Sequence, residues 1–496
     1  MSLDAQLPIL QIIVPMLSAP VVTLLRVRGL PWAATTAASL FAFAVAVALT
    51  RAVNGGVPIG YDVGGWPAPY GIVLHIDQLS ALLLLVITGA STVALLFGKA
   101  LLDQEVGGER APMFFAAWLL VLAGLCGIVA TGDAFNLFVF LEISSLSTYI
   151  LIAAGPDRRA LMATYRYLIL GTIGATFYLI GVGLIYMMTG TLNLADMADR
   201  VAQVAELQPV LVAAAFVTVG LALKAAVFPL HVWMPNAYTF APHVVTVFLA
   251  ACATKAAVYV LIRFDFTVFL PNLRDYDVHL ATFLAPLAVL AFLVGSGVAI
   301  FERDLKRMLG YSSVAQIGYI LLGVSLLSVT GLTGAIVHMF NHALIKGALF
   351  MAVACLAFRT GSVQLPDIAG CARAMPFTMA AVVVAGLSIV GVPLTAGFVS
   401  KWYLVLACLE LGPPGYALAA LVLIASLMAL VYVWKVVEAA YFKPRPADAP
   451  ELKEAPVVML VTMWVVVLGN VWFGVDTQFT VGIAEGAARM LLGAAR

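Results

Sequence analysis

Apolar residues in this chain fill uninterrupted runs of about 17–25 residues, the length that crosses the hydrocarbon core of a bilayer, divided by short stretches bearing charge, glycine or proline. The runs predict roughly fourteen membrane helices, near 7–25, 31–50, 77–98, 112–131, 134–154, 160–188, 208–228, 242–263, 279–301, 308–327, 331–358, 377–400, 415–440 and 456–474. No remaining segment is large enough for a soluble catalytic domain, so residues 1–496 read as one all-α integral membrane domain. The longest polar excursion, Arg51 to His75, is rich in glycine and proline and reads as an outer loop. The first apolar run has no basic segment before it and no small-residue cleavage site after it, which makes it a retained helix rather than a signal peptide. With the N-terminus outside, about fifteen basic residues fall on inner loops and about six on outer ones, which predicts both termini outside.

Two of these runs are interrupted, at matching places in the two halves of the chain. The seventh holds LKAAVFPLHVWMP (Leu223 to Pro235), with Pro229 soon after Lys224; the twelfth holds GVPLTAGFVSK (Gly391 to Lys401), with Pro393 and Gly397 before the lysine. Proline removes a backbone donor and clashes with the preceding turn, so each run is expected to break at membrane depth. Paired broken helices five spans apart predict two inverted five-helix repeats, at 112–263 and 279–440, with discontinuous helices seven and twelve. The alternative is that proline and glycine are simply frequent in membrane helices.

Composition agrees with a membrane protein, since 63% of residues are hydrophobic and 10% charged, where soluble domains have about a quarter charged. Lys+Arg 26 against Asp+Glu 25 gives no reason to expect a nucleic-acid partner. Cys126, Cys252, Cys355, Cys371 and Cys408 show no CxxC spacing, so no metal site, iron–sulfur cluster or other cofactor is expected.

What the apolar runs do contain is ionisable side chains. An ionisable group at bilayer depth costs at least about 2.5–3.5 kcal/mol on insertion scales, yet Glu142, Lys224, Lys255, Lys346 and Lys401 all lie there. A carboxylate such as Glu142 must be neutral or compensated, and Lys224 is the expected partner; a structural ion pair that only fixes helix packing is the alternative. Lys255 sits centrally in the eighth run, where a desolvated lysine can exchange its proton. His338, His342 and Lys346 are spaced by four and share one helix face, which suits proton passage through histidine. A helical HxxxH also resembles a metal site, but Met339 stands where a metalloprotease helix has its glutamate and no third ligand is evident; packing histidines are the other alternative.

Taken in order, GDAFNLFVFLEISSLSTYI, LKAAVFPLHVWMPNAY, the helix from Ala241 to Arg263 with Thr254 and Lys255, DLKRMLGYSSVAQIGYI (Asp304 to Ile320), HMFNHALIKGALF (His338 to Phe350) and GVPLTAGFVSKW resemble the proton-translocating antiporter-like subunits of Mrp cation/proton antiporters, respiratory complex I and membrane-bound hydrogenases. The resemblance covers nearly all of 75–440 and is strongest to the D subunit of Mrp antiporters, because the phrase after Glu142 runs through serines to Tyr149. It implies an acidic–basic pair at Glu142 and Lys224, a central lysine at Lys255, a linking group at His338, His342 and Lys346, and a terminal lysine at Lys401. His231 is family-like and, with His243, a possible accessory. His243 is a departure: relatives usually read Ala-Pro-Thr-Pro-Val-Ser where this chain has Ala241, Pro242, His243, Val244, Val245 and Thr246, so either the input route differs or His243 is a histidine at a helix start.

The implied function is a non-enzymatic one: a proton-conducting subunit of a multi-subunit Na+/H+ antiporter in a bacterial or archaeal plasma (inner) membrane, with other membrane subunits, protons and a coupled cation, expected to be Na+, as partners. Two alternatives stand beside it, the pump arm of a complex I-like or hydrogenase-type redox complex, and a non-conducting assembly subunit.

Overall fold

The computed structural model describes residues 3–445 and 451–493. Helices α1 (Leu3–Leu24) and α2 (Leu30–Val53) lead to an antiparallel hairpin of β1 (Ile59–Asp62) and β2 (Val73–Ile76), with Ile59 opposite Ile76. Then come α3 (Gln78–Glu105), α4 (Ala111–Ala130), α5 (Ala134–Ala153), α6 (Arg159–Thr189) and the short α7 (Leu194–Val204). The seventh apolar run is split into α8 (Gln208–Lys224) and α9 (Met234–Phe240), and α10 (His243–Arg263) ends in a π-helical turn over 264–269. After α11 (Tyr276–Phe301), α12 (Leu305–Ser325) and α13 (Val329–Thr360), the twelfth run is split into α14 (Pro376–Val390) and α15 (Ala396–Glu410). The chain closes with α16 (Pro413–Val437), α17 (Val457–Val475) and α18 (Gln478–Leu491).

Among the described residues, twelve helices are long and apolar enough to cross a membrane, and the two split runs make up the difference from the roughly fourteen expected. The chain is a nearly all-helical, multi-pass membrane protein. Both breaks occur where proline predicted them, but the twelfth run does not stop near residue 400; α15 carries it to Glu410. The excursion from Arg51 to His75 is not all loop, because Leu74 and Ile76 are buried while Val73 and His75 are partly exposed, the alternation that makes a strand. The short helices α7 and α18 fell below the apolar length threshold, since each is apolar on one face only: α18 turns Ile483, Ala484, Ala487 and Ala488 inward.

Helices α10 and α12 are enclosed on nearly every side, whereas α16 and α17 turn most of their surface outward. Asp77 anchors the far end of α10. It caps α3 by accepting the Ser80 amide at 2.9 Å and pairs with Arg263; burial pushes its carboxyl up, and the guanidinium, the Ser80 amide and His75 together more than offset this, holding it below the usual range.

The two halves repeat one local device. Asp133 caps α5 by accepting the Asn136 amide, and Asp304 caps α12 by accepting the Arg307 amide. Ahead of each cap the chain pairs with the segment after the next helix: Ala134 N–H to Leu192 O (2.8 Å) and Leu194 N–H to Gly132 O (2.9 Å), against Leu305 N–H to Val363 O (2.9 Å) and Leu365 N–H to Arg303 O (2.8 Å). Gly190 and Gly361, both at φ 70°, end α6 and α13 in the left-handed conformation that glycine adopts without strain.

Candidate functional site

Every ionisable group singled out within the membrane runs is inside the bundle or at a helix pair. Lys224 is the last residue of α8, buried, and its Nζ donates to Glu142 Oε1 at 3.2 Å and to Ser145 Oγ at 2.8 Å. Glu142 lies on α5 with its side chain one-quarter exposed (25%), so the pair reaches the outer wall of the bundle. Beside it Tyr149 meets Tyr167 edge-on at 4.8 Å, and Tyr167 stacks on Trp233 at 3.9 Å. The Trp233 indole in turn donates to Leu223 O at the end of α8, a carbonyl that also accepts the Ala226 amide at 3.2 Å.

Lys255, Lys346 and both histidines reach neither surface, with exposures of 1%, 0%, 0% and 0%. Lys255 Nζ donates to the Ala250 carbonyl of its own helix. Lys346, on α13, donates to Leu309 O (2.9 Å) and Ser312 Oγ (2.8 Å) of α12, and Ser312 also bonds Tyr432 Oη at 2.9 Å. His338 contacts Ser400 Oγ through Nδ1 (2.8 Å) and Gln316 Oε1 through Nε2 (3.0 Å). His342 stacks parallel to it with centroids 6.2 Å apart, and both His342 ring nitrogens are buried without a hydrogen-bond partner among the described residues. Lys255 and Lys346 lie within electrostatic reach of His342 and of each other, and Lys401 within reach of His338.

Lys401 stands one turn into α15. Its ammonium donates to Ile389 O (2.9 Å), Val390 O (3.1 Å) and Ser426 Oγ (2.9 Å), and lies 4.7 Å from the centre of the Tyr319 ring. The two carbonyls are the open C-terminal end of α14, where the helix dipole is negative. The break is shaped for this contact: Gly391 has φ 92°, and a Cβ there would stand 2.9 Å from Lys401 Cδ.

The structure thus joins Lys346, His338 and Lys401 through α12, places His342 and Lys255 beside them, and joins Glu142 to Lys224. Ser312, Gln316 and Tyr319, which make the connections, were not singled out from sequence as site residues. Their signal was present, since spacings of four and three put them on one face of a buried helix. His231 stays apart from these contacts: its ring stacks on Phe228 at 5.2 Å, and its Nδ1 is buried without a partner among the described residues. His243 does not stand alone at a helix start, for its ring and its backbone N–H both contact Glu105 at the end of α3. No group of three or more His, Cys, Asp or Glu able to hold a metal ion occurs among the described residues, and the five cysteines are buried and unpaired with one another.

Residues 131–429 match the family model described as NADH:quinone oxidoreductase/Mrp antiporter, transmembrane. The chain is 42% identical to the N subunit of the NADH-quinone oxidoreductase of Desulforudis audaxviator, over 96% of this chain and 97% of that one. It is 30% identical to the D subunit of the Na+/H+ antiporter of Alkalihalophilus pseudofirmus, over 76% of this chain and 74% of that one. Its backbone superposes on a chain of the Mrp complex from Dietzia sp. with a TM-score of 0.91 at 27% identity, over 100% of this chain and 98% of the other.

Proposed function

The chain belongs to the NADH:quinone oxidoreductase/Mrp antiporter transmembrane family, and from that premise we propose that it conducts protons as one subunit of a multi-subunit membrane complex in a bacterial or archaeal plasma membrane, first as part of an Mrp-type Na+/H+ antiporter. The observation that carries the proposal is the alignment along α12: three titratable side chains from α13 and α15 contact successive polar residues of one buried helix. A bundle packed only for stability has no use for such side chains, each costing about 2.5 kcal/mol or more to insert when charged. Protons would move along Glu142, Lys224, Lys255, His342 with His338 and Lys346, and Lys401. Each transfer changes the charge beside the next group and so its hold on a proton.

Residues 112–263 and 279–440 would be the two inverted repeats. Supporting this, the Asp133 and Asp304 devices are separated by five spans, an odd number, which puts them at opposite membrane faces.

A second reading, the pump arm of a redox complex, is favoured by the 42% identity to an NADH-quinone oxidoreductase subunit. The test is to purify the intact complex from native membranes, identify its subunits and reconstitute it in vesicles holding a pH dye. Proton movement driven by an imposed Na+ gradient supports the antiporter. Proton movement only on supplying an electron donor, with cluster-bearing subunits present, supports the redox pump, and a complex that moves no protons in either assay sinks both in favour of an assembly role.

A further inference from the structure

One titratable cluster lies outside the row of side chains that runs from Glu142 and Lys224 through Lys255, His342, His338 and Lys346 to Lys401. A cavity of about 420 Å³ sits at the end of the bundle where α3 stops and α10 and α12 begin. Its rim carries Asp157, Arg159 and Gln364, and deeper in it lie Glu105, His243 and Lys306. His243 Nδ1 contacts Glu105 Oε1 directly, and the His243 backbone N–H donates to Glu105 Oε2 at 3.0 Å, so the carboxylate grips the residue at two points. Nε2 on the other side of the ring is buried with no hydrogen-bond partner among the described residues. Lys306, almost wholly buried, donates to Ala241 O at 2.6 Å, and with Asp304 it is within electrostatic reach of His243.

We propose that the Glu105–His243 pair, set against Lys306, is the loading site where the row takes up its protons from this aqueous face. The inference rests on the reading that the row conducts protons. Three observations support it. The pair shares the cavity lining with Lys306, and Leu309 and Ser312, which hold the Lys346 ammonium, follow Lys306 on α12 by three and six residues, about 4.5 and 9 Å along the axis. The chemistry suits relay, because an imidazole that accepts a proton at one nitrogen releases one from the other and returns to its starting charge. The load is a proton rather than Na+, since hard cations take oxygen ligands, the carboxylate is already engaged by the imidazole and an amide, and the Lys306 ammonium opposes a second cation.

The test uses the whole complex in vesicles, with the pH of each face set separately and complex yield measured alongside. His243→Asn keeps a donor near the Nδ1 position but cannot carry a proton, and Glu105→Gln keeps the shape of the acceptor but not its charge. Each is expected to assemble normally, to slow proton movement by about tenfold at pH 8 with a smaller loss at pH 6, and to respond to pH on the cavity face alone. A wild-type rate and pH profile in both variants overturns the proposal. So does loss of the complex in both, which would make the pair a clamp between α3 and α10. Failure of the underlying reading is distinguishable, because the wild-type complex would then move no protons and the loading site would fall with it.

Discussion

The two broken helices solve one problem in opposite ways. At the first break the lysine precedes the interruption, and Lys224 meets the carboxyl group of Glu142, which lies partly at the bundle wall. At the second the lysine follows the interruption, and Lys401 meets no carboxylate among the described residues; its ammonium is held by two backbone carbonyls, a hydroxyl and the face of Tyr319. The first break therefore joins two ionisable side chains, one of which reaches the bundle wall. Carbonyl dipoles do not titrate, so the second break surrounds its lysine with acceptors of fixed character. One break thus holds its lysine against an ionisable side chain and the other against dipoles of fixed sign.

The sharpest way to break this contrast is to remove the titratable partner. Glu142→Gln keeps the shape beside Lys224 and takes away its counter-charge, and is expected to cut proton movement by about a hundredfold or more, while the complex assembles at normal yield. Normal flux would remove Glu142 from the pathway, and loss of assembly would make the pair structural.

Next in size is Lys401. Replacement by alanine should stop flux as completely as Glu142→Gln, whereas Lys401→Arg, which keeps the charge but holds its proton throughout the accessible pH range, should leave about a tenth of the wild-type rate. Wild-type rates for the arginine variant across a pH series would show that Lys401 acts only as a fixed charge.

The backbone at the breaks offers a smaller, paired comparison. Gly391 and Ala226 both occupy positive φ, at 92° and 55°, and only the first is a glycine. Gly391→Ala should destabilise by about 1–2 kcal/mol and displace Lys401, whereas Ala226→Gly should relieve up to about 1 kcal/mol of strain. Thermal unfolding of the purified complex reads both, and equal shifts of the same sign would refute the assignment of strain. The smallest effect is expected at His231, where His231→Gln should change proton flux by less than about twofold, since the ring packs on Phe228 and does not touch the row. A larger loss in the same vesicle assay would bring His231 into the path.

Much of this was legible in the order of residues alone. Run length located the spans, because the bilayer fixes how many apolar residues a helix needs, and Pro229 and Pro393 marked the breaks, because proline lacks the donor a helix requires. The pair Glu142–Lys224 was legible too, as no other carboxylate shares a run with so little else to compensate it. The polar rail of α12 was harder to see: Ser312, Gln316 and Tyr319 are ordinary residues, and only contact with lysines and histidines from other helices gives them a part. Two of the partners of Lys401, the carbonyls of Ile389 and Val390, were invisible, since a backbone carbonyl has no letter in a sequence.

What the sequence by itself determined is therefore the solvent, the membrane-crossing runs, the positions of the breaks and the inventory of titratable groups, all of which follow from local composition and spacing. Which groups meet was decided only by the tertiary structure. Glu142 and Lys224 lie 82 residues apart, His338 and Ser400 62, and His243 and Glu105 138. The lipid-exposed and protein-exposed faces of these helices are equally apolar, so hydrophobic pattern carries little information about which faces pack together, and the polar contacts across them are set by helix packing alone.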